Sequence, residues 1–378
     1  MQSVVPQTAT ELITCDPERP IVSEDINVIE RDLCANGTSH GSLDEMEGSM
    51  VLAELDQVAE MVKQDPETRT RTARVSVIIP CYKTAKFVAQ TLQSVFAQTY
   101  QDFEVVLVND GSPDTPELEK AIAPWRKRIT YLHTENCGLA GARNNGIRAA
   151  KGELIALLDS DDIWEPNYLE VQVRKLDEDP SADIVYPRMV YFGDGPSAGI
   201  RSSVCHGEVT FSRLVELKIG VVVSVLARRS ALEGVGLFDD SLRSCEDFDM
   251  WLRCLKNGSR IIYHNKVLLR YRVRPDSLSA DPVWMHGHAA RVLRKMQASM
   301  AITQEERKAV ESSIQREDGF QMFFEGKRAF LNGDYPLAID LIQRSNQLLK
   351  SFRISTILFA LRTMPRLCQL AYTWKTPE

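Results

Sequence analysis

The sequence predicts an α/β fold, a sheet flanked by helices, with an all-α region at the C-terminal end. Three observations predict it. Four apolar strand patterns alternate with three helix patterns from Val75 to Leu158, as in one half of a doubly wound sheet with parallel strands. Three of those strands end in polar groups, at Pro80-Cys81-Tyr82, Asn109-Asp110 and Asp159-Ser160-Asp161, the end at which open α/β sheets bind ligands. From residue 283 onward only helical periodicity remains.

Taken in order, residues 1–72 are acidic and rich in Ser, Thr, Asp and Glu. The first 70 residues hold 15 Asp/Glu against 4 Lys/Arg, an excess larger than the overall net charge of −7, so the remainder is mildly basic. Such a segment buries too little apolar surface to offset its ordering entropy, and it is expected to be largely disordered. One short amphipathic helix is expected over Val51–Val62. The near-neutral remainder gives no reason to expect a nucleic-acid partner.

Order is expected from Val75. Val75-Ser76-Val77-Ile78-Ile79 is β-branched and apolar. Val88, Leu92, Val95 and Phe96 follow at helical spacing. A second strand, Phe103 to Val108, runs into Asn109-Asp110-Gly111-Ser112-Pro113-Asp114, strong turn chemistry. A charged helix over Thr115–Arg128 leads to a third strand, Ile129–His133. Asn136-Cys137-Gly138-Leu139 then opens a helix over Ala140–Ala150, where a glycine lets backbone N–H groups approach a phosphate. The fourth strand, Glu153–Leu158, delivers Asp159-Ser160-Asp161-Asp162. Clustered carboxylates repel unless a cation, a proton or a basic group compensates them. Oxygen ligands beside a phosphate site suggest Mg²⁺ or Mn²⁺; the plain alternative is a solvated acidic loop.

Beyond this the expected elements are a helix over Trp164–Asp179, a strand over Ile184–Phe192, a polar loop from Gly193 to His206 and a strand over Gly220–Leu226. Glu246, Asp247 and Asp249 fall in the first turn of a helix, where the helix dipole favours anions. Arg260–His264 and Lys266–Arg274 read as the last strands. Within the helical region, Phe320–Lys350 resembles one tetratricopeptide-type hairpin. The tail from Arg344 to Glu378 carries six Lys/Arg against one acid. That mixture suits either a core-packed helix with a solvated basic face or contact with a membrane surface.

Eight cysteines show no CxxC pair and no zinc-ligand spacing. Met1–Asp16 lacks both the basic start and the apolar core of a secretory signal, and no uncharged run reaches membrane-spanning length. A cytoplasmic protein is expected, with peripheral contact at the inner face of the membrane as a further expectation for residues 344–378.

Seven motifs in order resemble glycosyltransferase family 2, whose fold is GT-A, a Rossmann-like mixed sheet. They are VSVIIPCYK (Val75 to Lys83), VLVNDGSPD (Val106 to Asp114), NCGLAGARNNGI (Asn136 to Ile147), LLDSDD (Leu157 to Asp162), GLFDD (Gly236 to Asp240), SCEDFDMWLR (Ser244 to Arg253) and YRVRPDSLS (Tyr271 to Ser279). The resemblance implies inverting transfer of a sugar from a nucleoside-diphosphate donor, most often UDP-linked, to a glycan or lipid-linked acceptor. It implies donor contacts at Pro80, Tyr82, Asp110, Gly138, Arg143, Asp159, Ser160 and Asp161. A divalent cation, Mn²⁺ or Mg²⁺, would be held by Asp161 and Asp159. The Glu246-Asp247 pair is the implied catalytic couple, with Asp247 as general base. Asp162, Trp251, Arg272 and Arg274 are implied contacts for acceptor or diphosphate. Arg274 stands where relatives often carry His, and a guanidinium cannot ligate a metal. The resemblance divides the chain at 73–282 for the glycosyltransferase domain and 283–378 for the helical region. A nucleotidyltransferase-like enzyme and a scaffold with a spent catalytic domain are the alternatives.

Overall fold

A computed structural model describes residues 72–193, 199–366 and 368–369. The expectations for residues 1–71, including the Val51–Val62 helix, lie outside the described residues, as do residues 194–198 of the polar loop and much of the end of the tail.

The sheet is organised by β1 (Val75–Cys81), β2 (Phe103–Asp110), β3 (Ile129–Thr134) and β4 (Leu154–Leu157). β1 lies between β2 and β4, β3 pairs with β2, and all these pairings are parallel. Alternation along these strands feeds two cores. Ile78, Val106, Val108, Ile155 and Leu157 point to one face, while Val77, Ile79, Val105, Leu107, Leu154, Ala156 and Leu158 point to the other. Both faces are apolar because both are covered, which is why the strands read as unbroken hydrophobic runs.

The helices α1 (Ala85–Phe96), α2 (Thr115–Ile122) and α3 (Gly138–Ala149) supply the cover. α1 buries Ala85, Val88, Leu92 and Val95 against the second face. α3 packs so closely on β1 that a Cβ at Gly146 would lie 2.4 Å from Ile78 Cγ2. That approach requires glycine.

The second half of the sheet is mixed. After β5 (Ile163–Trp164) and α4 (Tyr168–Glu178) come β6 (Ile184–Gly193), α5 (Phe211–Val215), β7 (Leu226–Arg228), α6 (Arg229–Glu233), α7 (Glu246–Lys256) and β8 (Ile261–Val273). The strand order is β3-β2-β1-β4-β7-β6-β8-β5. β7 runs antiparallel to both β4 and β6, β6 and β8 are parallel, and β5 is antiparallel to β8.

Three local expectations change here. The helix expected from Trp164 starts at Tyr168, because residues preceding Pro166 are disfavoured from helical geometry and Trp164 pairs with Leu269 instead. The strand expected over Gly220–Leu226 is confined to Leu226–Arg228. Its apolar residues Val221 and Val225 are buried in the core outside the assigned strand, the Val225 carbonyl accepts from the Leu157 amide at 3.1 Å, and Ser224 Oγ donates to the Leu157 carbonyl at 3.1 Å. The two final strands are one, β8, whose pairing with β6 shifts register around Arg188.

The C-terminal helices are α8 (Pro282–Ser299), α9 (Gln304–Leu331), α10 (Tyr335–Leu349) and α11 (Phe352–Thr363). Val292, Leu293 and Met296 of α8 and Ala309 and Val310 of α9 join the sheet's own core. The far end of α9 packs with α10 and α11 around Phe330, Ala338, Ile342, Ile354, Leu358 and Leu361. Among the described residues no helix is long and apolar enough to cross a membrane.

Candidate active site

The acidic stretch is a tight turn at the end of β4. Asp162 N donates to the Asp159 carbonyl at 3.1 Å, closing it, and Leu158 N ties its base to the Ile78 carbonyl at 3.1 Å. α1 holds the turn from below. The buried Thr91 hydroxyl shares its proton between the carbonyls of Ser160 and Asp162, each at 2.9 Å. Thr84 Oγ1 and Ser160 Oγ are 2.8 Å apart. Ser160, expected to touch the donor, is 3% exposed and serves this anchorage.

The three carboxylates differ in surroundings. Asp159 accepts from Arg143 at 2.7 Å. Asp161 lies 3.0 Å from Arg274 Nε. Burial and the charge of Asp159 nevertheless push the Asp161 carboxyl up to about 6, with Arg274 pulling the other way. Asp162 Oδ1 accepts from the Arg272 amide at 2.9 Å, while its Oδ2 is buried without a partner. Burial, then Asp161 and Asp159, hold the Asp162 carboxyl well above the carboxylate range.

Arg143, on α3, joins this turn to α7. It donates to Asp159 and to Glu246, and its side chain is 2% exposed. Burial works against its charge, but Asp159 and Glu246 outweigh that and raise it above the ordinary arginine value. Phe238 lies under the guanidinium, 5.5 Å from ring centroid to Cζ.

α7 begins at an unusual backbone: Cys245, at its N-cap, has φ 57°, in the left-handed region. Glu246 follows, buried and paired with Arg143. Asp247 is partly exposed, and its carboxylate accepts from the adjacent Phe248 amide at 2.7 Å. Burial and the neighbouring Glu246 charge push Asp247 up to about 7, against the pull of Arg143. The two residues of the expected catalytic couple thus differ: Glu246 is buried and paired with Arg143, whereas Asp247 is partly exposed and its carboxyl is raised to about 7. Trp251 is corrected. Expected to touch acceptor or diphosphate, it is fully buried on the inner side of α7, edge-on to Phe238 at 6.4 Å.

At the other strand ends, Asp110 Oδ1 accepts from the Cys137 amide at 2.8 Å and from its thiol at 3.1 Å. This fixes the glycine turn, where Gly138 has φ 78°. A Cβ on Gly138 would lie 2.9 Å from an Arg243 nitrogen, so the turn sits against that arginine. Burial raises the Cys137 thiol to about 11 and Cys81 to about 12, so neither is a ready thiolate. Pro80 is buried within β1, whereas Tyr82 beside it is 45% exposed. Lys83, at φ 57°, is held by Ser112 Oγ at 2.7 Å. Arg272 stacks on Phe87 and Phe192 at 4.6 and 4.3 Å and donates to the Asp161 carbonyl at 2.8 Å.

The structure therefore brings Asp159, Asp161, Asp162, Arg143, Glu246, Asp247, Arg272 and Arg274 into one connected set. Thr84, Thr91, Phe238 and Arg243 were not found from sequence. Thr84 precedes a helix, which is a readable signal; Thr91 sits inside one and carries none.

Five carboxyls face three guanidiniums in this set, and their crowding shows in the raised Asp161, Asp162 and Asp247. Among the described residues no three His, Cys, Asp or Glu side chains are grouped to hold a metal ion. The turn fits instead the pattern in which one or two carboxylates bind a Mg²⁺-like ion and substrate phosphates complete its shell.

A mixed sheet with an acidic turn at the end of its fourth strand and a second acidic pair on a later helix defines a GT-A glycosyltransferase fold. The family model "Glycosyl transferase family 2" matches residues 76–236, and the chain carries a domain of that family. The match takes in the acidic turn and ends before α7. An uncharacterized glycosyltransferase of Rickettsia felis is 29% identical over 307 residues, 79% of this chain and 50% of the relative. Another, RT0329 of Rickettsia typhi, is 31% identical over 219 residues, 54% of this chain and 65% of the relative. The chain thus spans half to about two thirds of the length of these relatives. Among solved structures, S. aureus TarS 1–349 in complex with UDP-GlcNAc aligns with a TM-score of 0.53 at 18% identity, covering 80% of this chain and 92% of that one. The mannosyltransferase PcManGT from Pyrobaculum calidifontis, in complex with GDP-Man and Mn²⁺, aligns at 0.50 and 18% identity, covering 88% and 94%. At such identities the likeness concerns the fold.

Proposed function

We propose that the chain transfers a sugar, with inversion, from a nucleoside-diphosphate donor to a hydroxyl of a glycan or lipid-linked acceptor. One observation carries the reading: Asp247 is partly exposed at the start of α7 and raised to about 7, while Glu246 beside it is buried and paired with Arg143. A carboxyl titrating near the working pH is suited to general-base chemistry.

In the proposed step the acceptor oxygen attacks the anomeric carbon, its proton passes to Asp247, and the bond to the diphosphate oxygen breaks. Tyr82 and Asp110, with Pro80 beneath, border the nucleotide end. Arg272 and Arg274 face the charge of the departing diphosphate. Asp161, with Asp159, would hold a divalent cation there, which when bound supplies Lewis-acid stabilisation of the leaving group. UDP is the nucleotide we favour; the complexes of TarS with UDP-GlcNAc and of PcManGT with GDP-Man make both bases worth testing.

The test is nucleotide release from a panel of UDP- and GDP-sugars, with Mn²⁺ or Mg²⁺ and candidate acceptors. Release that depends on both donor and acceptor supports the reading. No release from any donor, with the protein folded, would count against it.

A further inference from the structure

We propose that α11 lies on an anionic phospholipid surface, with Phe352 and Phe359 entering the lipid interface. This inference stands apart from the sugar-transfer reading.

α11 is divided into two faces. Ile354, Leu358 and Leu361, spaced i, i+4, i+7, are buried against α9 and α10. The opposite stripe is Phe352, Thr356, Phe359 and Thr363, spaced i, i+4, i+7, i+11. Its two aromatic rings are 86% and 70% exposed. Two phenylalanines turned directly away from a helix's own core mark a surface made for contact.

Charge and hydrogen bonding indicate the occupant. From Arg344 to Gln369 the chain has five Lys/Arg and no acid, the polarity attracted to anionic headgroups. Arg353 and Arg362 flank the aromatic stripe on α11, with Lys350 and Arg366 just beyond its ends. The hydroxyls on this side are already satisfied. Thr356 Oγ1 donates to the Phe352 carbonyl at 3.1 Å, Thr363 Oγ1 to Phe359 at 2.9 Å and Ser355 Oγ to Ser351 at 3.1 Å. Moving a hydroxyl out of water is costly only when it loses its partner, so this face enters an apolar layer with no unmet donor. A protein partner reading the face by polar contacts would find those donors engaged. A lipid interface needs only the rings and the flanking arginines.

The experiment is co-sedimentation of the full chain with vesicles of phosphatidylcholine alone or with about one third phosphatidylglycerol. Wild-type protein should pellet with the anionic vesicles and release as salt is raised. Phe352→Ser/Phe359→Ser should weaken that binding by at least about tenfold, with an unchanged thermal midpoint. The proposal is overturned if wild type stays in solution with both vesicles, binds both equally, or binds no better than the double variant. It is likewise overturned if wild type is a dimer that the double variant converts to monomer, which would make the face an interface between copies.

Discussion

Arg143 donates to Glu246 across 103 positions of sequence, with both side chains buried. Through its second donor, 2.7 Å from Asp159, the same guanidinium binds the acidic turn to the start of α7. The distance between the two acidic regions is therefore set by one residue, and Arg143 is better described as a strut than as a surface contact for the donor.

Arg143→Met should therefore act on stability before activity. It leaves Glu246 buried without its partner, and breaking a buried pair by removing one member costs about 3–5 kcal/mol. Chemical denaturation should show that loss. A variant as stable as wild type would mean the pair contributes little.

The pH dependence follows from Asp247. Its carboxyl is raised to about 7, so it is protonated and unable to accept a proton below that pH, and ionised above it. The acceptor-dependent kcat/KM should rise with pH through about 7. A profile flat from pH 5.5 to 8.5 would remove Asp247 from the base role.

The same shift makes a stability prediction of opposite sign. A carboxyl whose folded value lies above its unfolded one binds more protons when folded. Stability falls as pH rises from about 4 to about 7, then levels off. Asp247→Asn removes that penalty. At pH 8 it should raise stability by up to about 4 kcal/mol, and at pH 4 it should change little. Thermal midpoints at the two pH values decide this.

Arg274 lies 3.0 Å from Asp161 and occupies the group proposed to hold the cation. Arg274→Gln should let Mn²⁺ alone bind more tightly, while UDP binding in the presence of Mn²⁺ weakens by about tenfold for the lost charge. Calorimetry of each ligand separates the two effects. Weaker binding of Mn²⁺ alone would contradict the pairing as described.

Thr91→Val tests the seat of the acidic turn. Its hydroxyl serves two buried carbonyls, and leaving them without a donor should cost about 1–3 kcal/mol. A larger fractional loss of donor affinity than of stability would show that the turn has also shifted.

The first half of the fold was legible because its signals are local. β1, β2 and β4 are largely apolar runs bounded by turns, and Asp110 and Asp159 stand at or just past strand ends, where a carboxylate is conspicuous in an otherwise apolar pattern. The second half was not. β7 has three residues and is inserted antiparallel between β4 and β6, an arrangement dictated by pairing rather than by pattern. Residues 221–225 read as a strand because hydrophobicity reports burial, and Val221 and Val225 are buried outside the assigned strand. The site shows the same division. The acids were visible in the sequence, but their unequal states depend on Arg143 choosing Glu246, a contact no spacing predicts. Trp251 carried an attractive residue type in the right motif, and its helical phase turned it inward.

The central claim is that Asp247 and the Asp159–Asp162 turn are two ends of one transfer site. The most direct measurement compares wild type and Asp247→Asn for acceptor-dependent release of nucleotide and, by calorimetry, for donor binding with Mn²⁺. The account predicts unchanged donor affinity and transfer reduced by about 10²–10⁴-fold. Transfer at the wild-type rate by Asp247→Asn would contradict it.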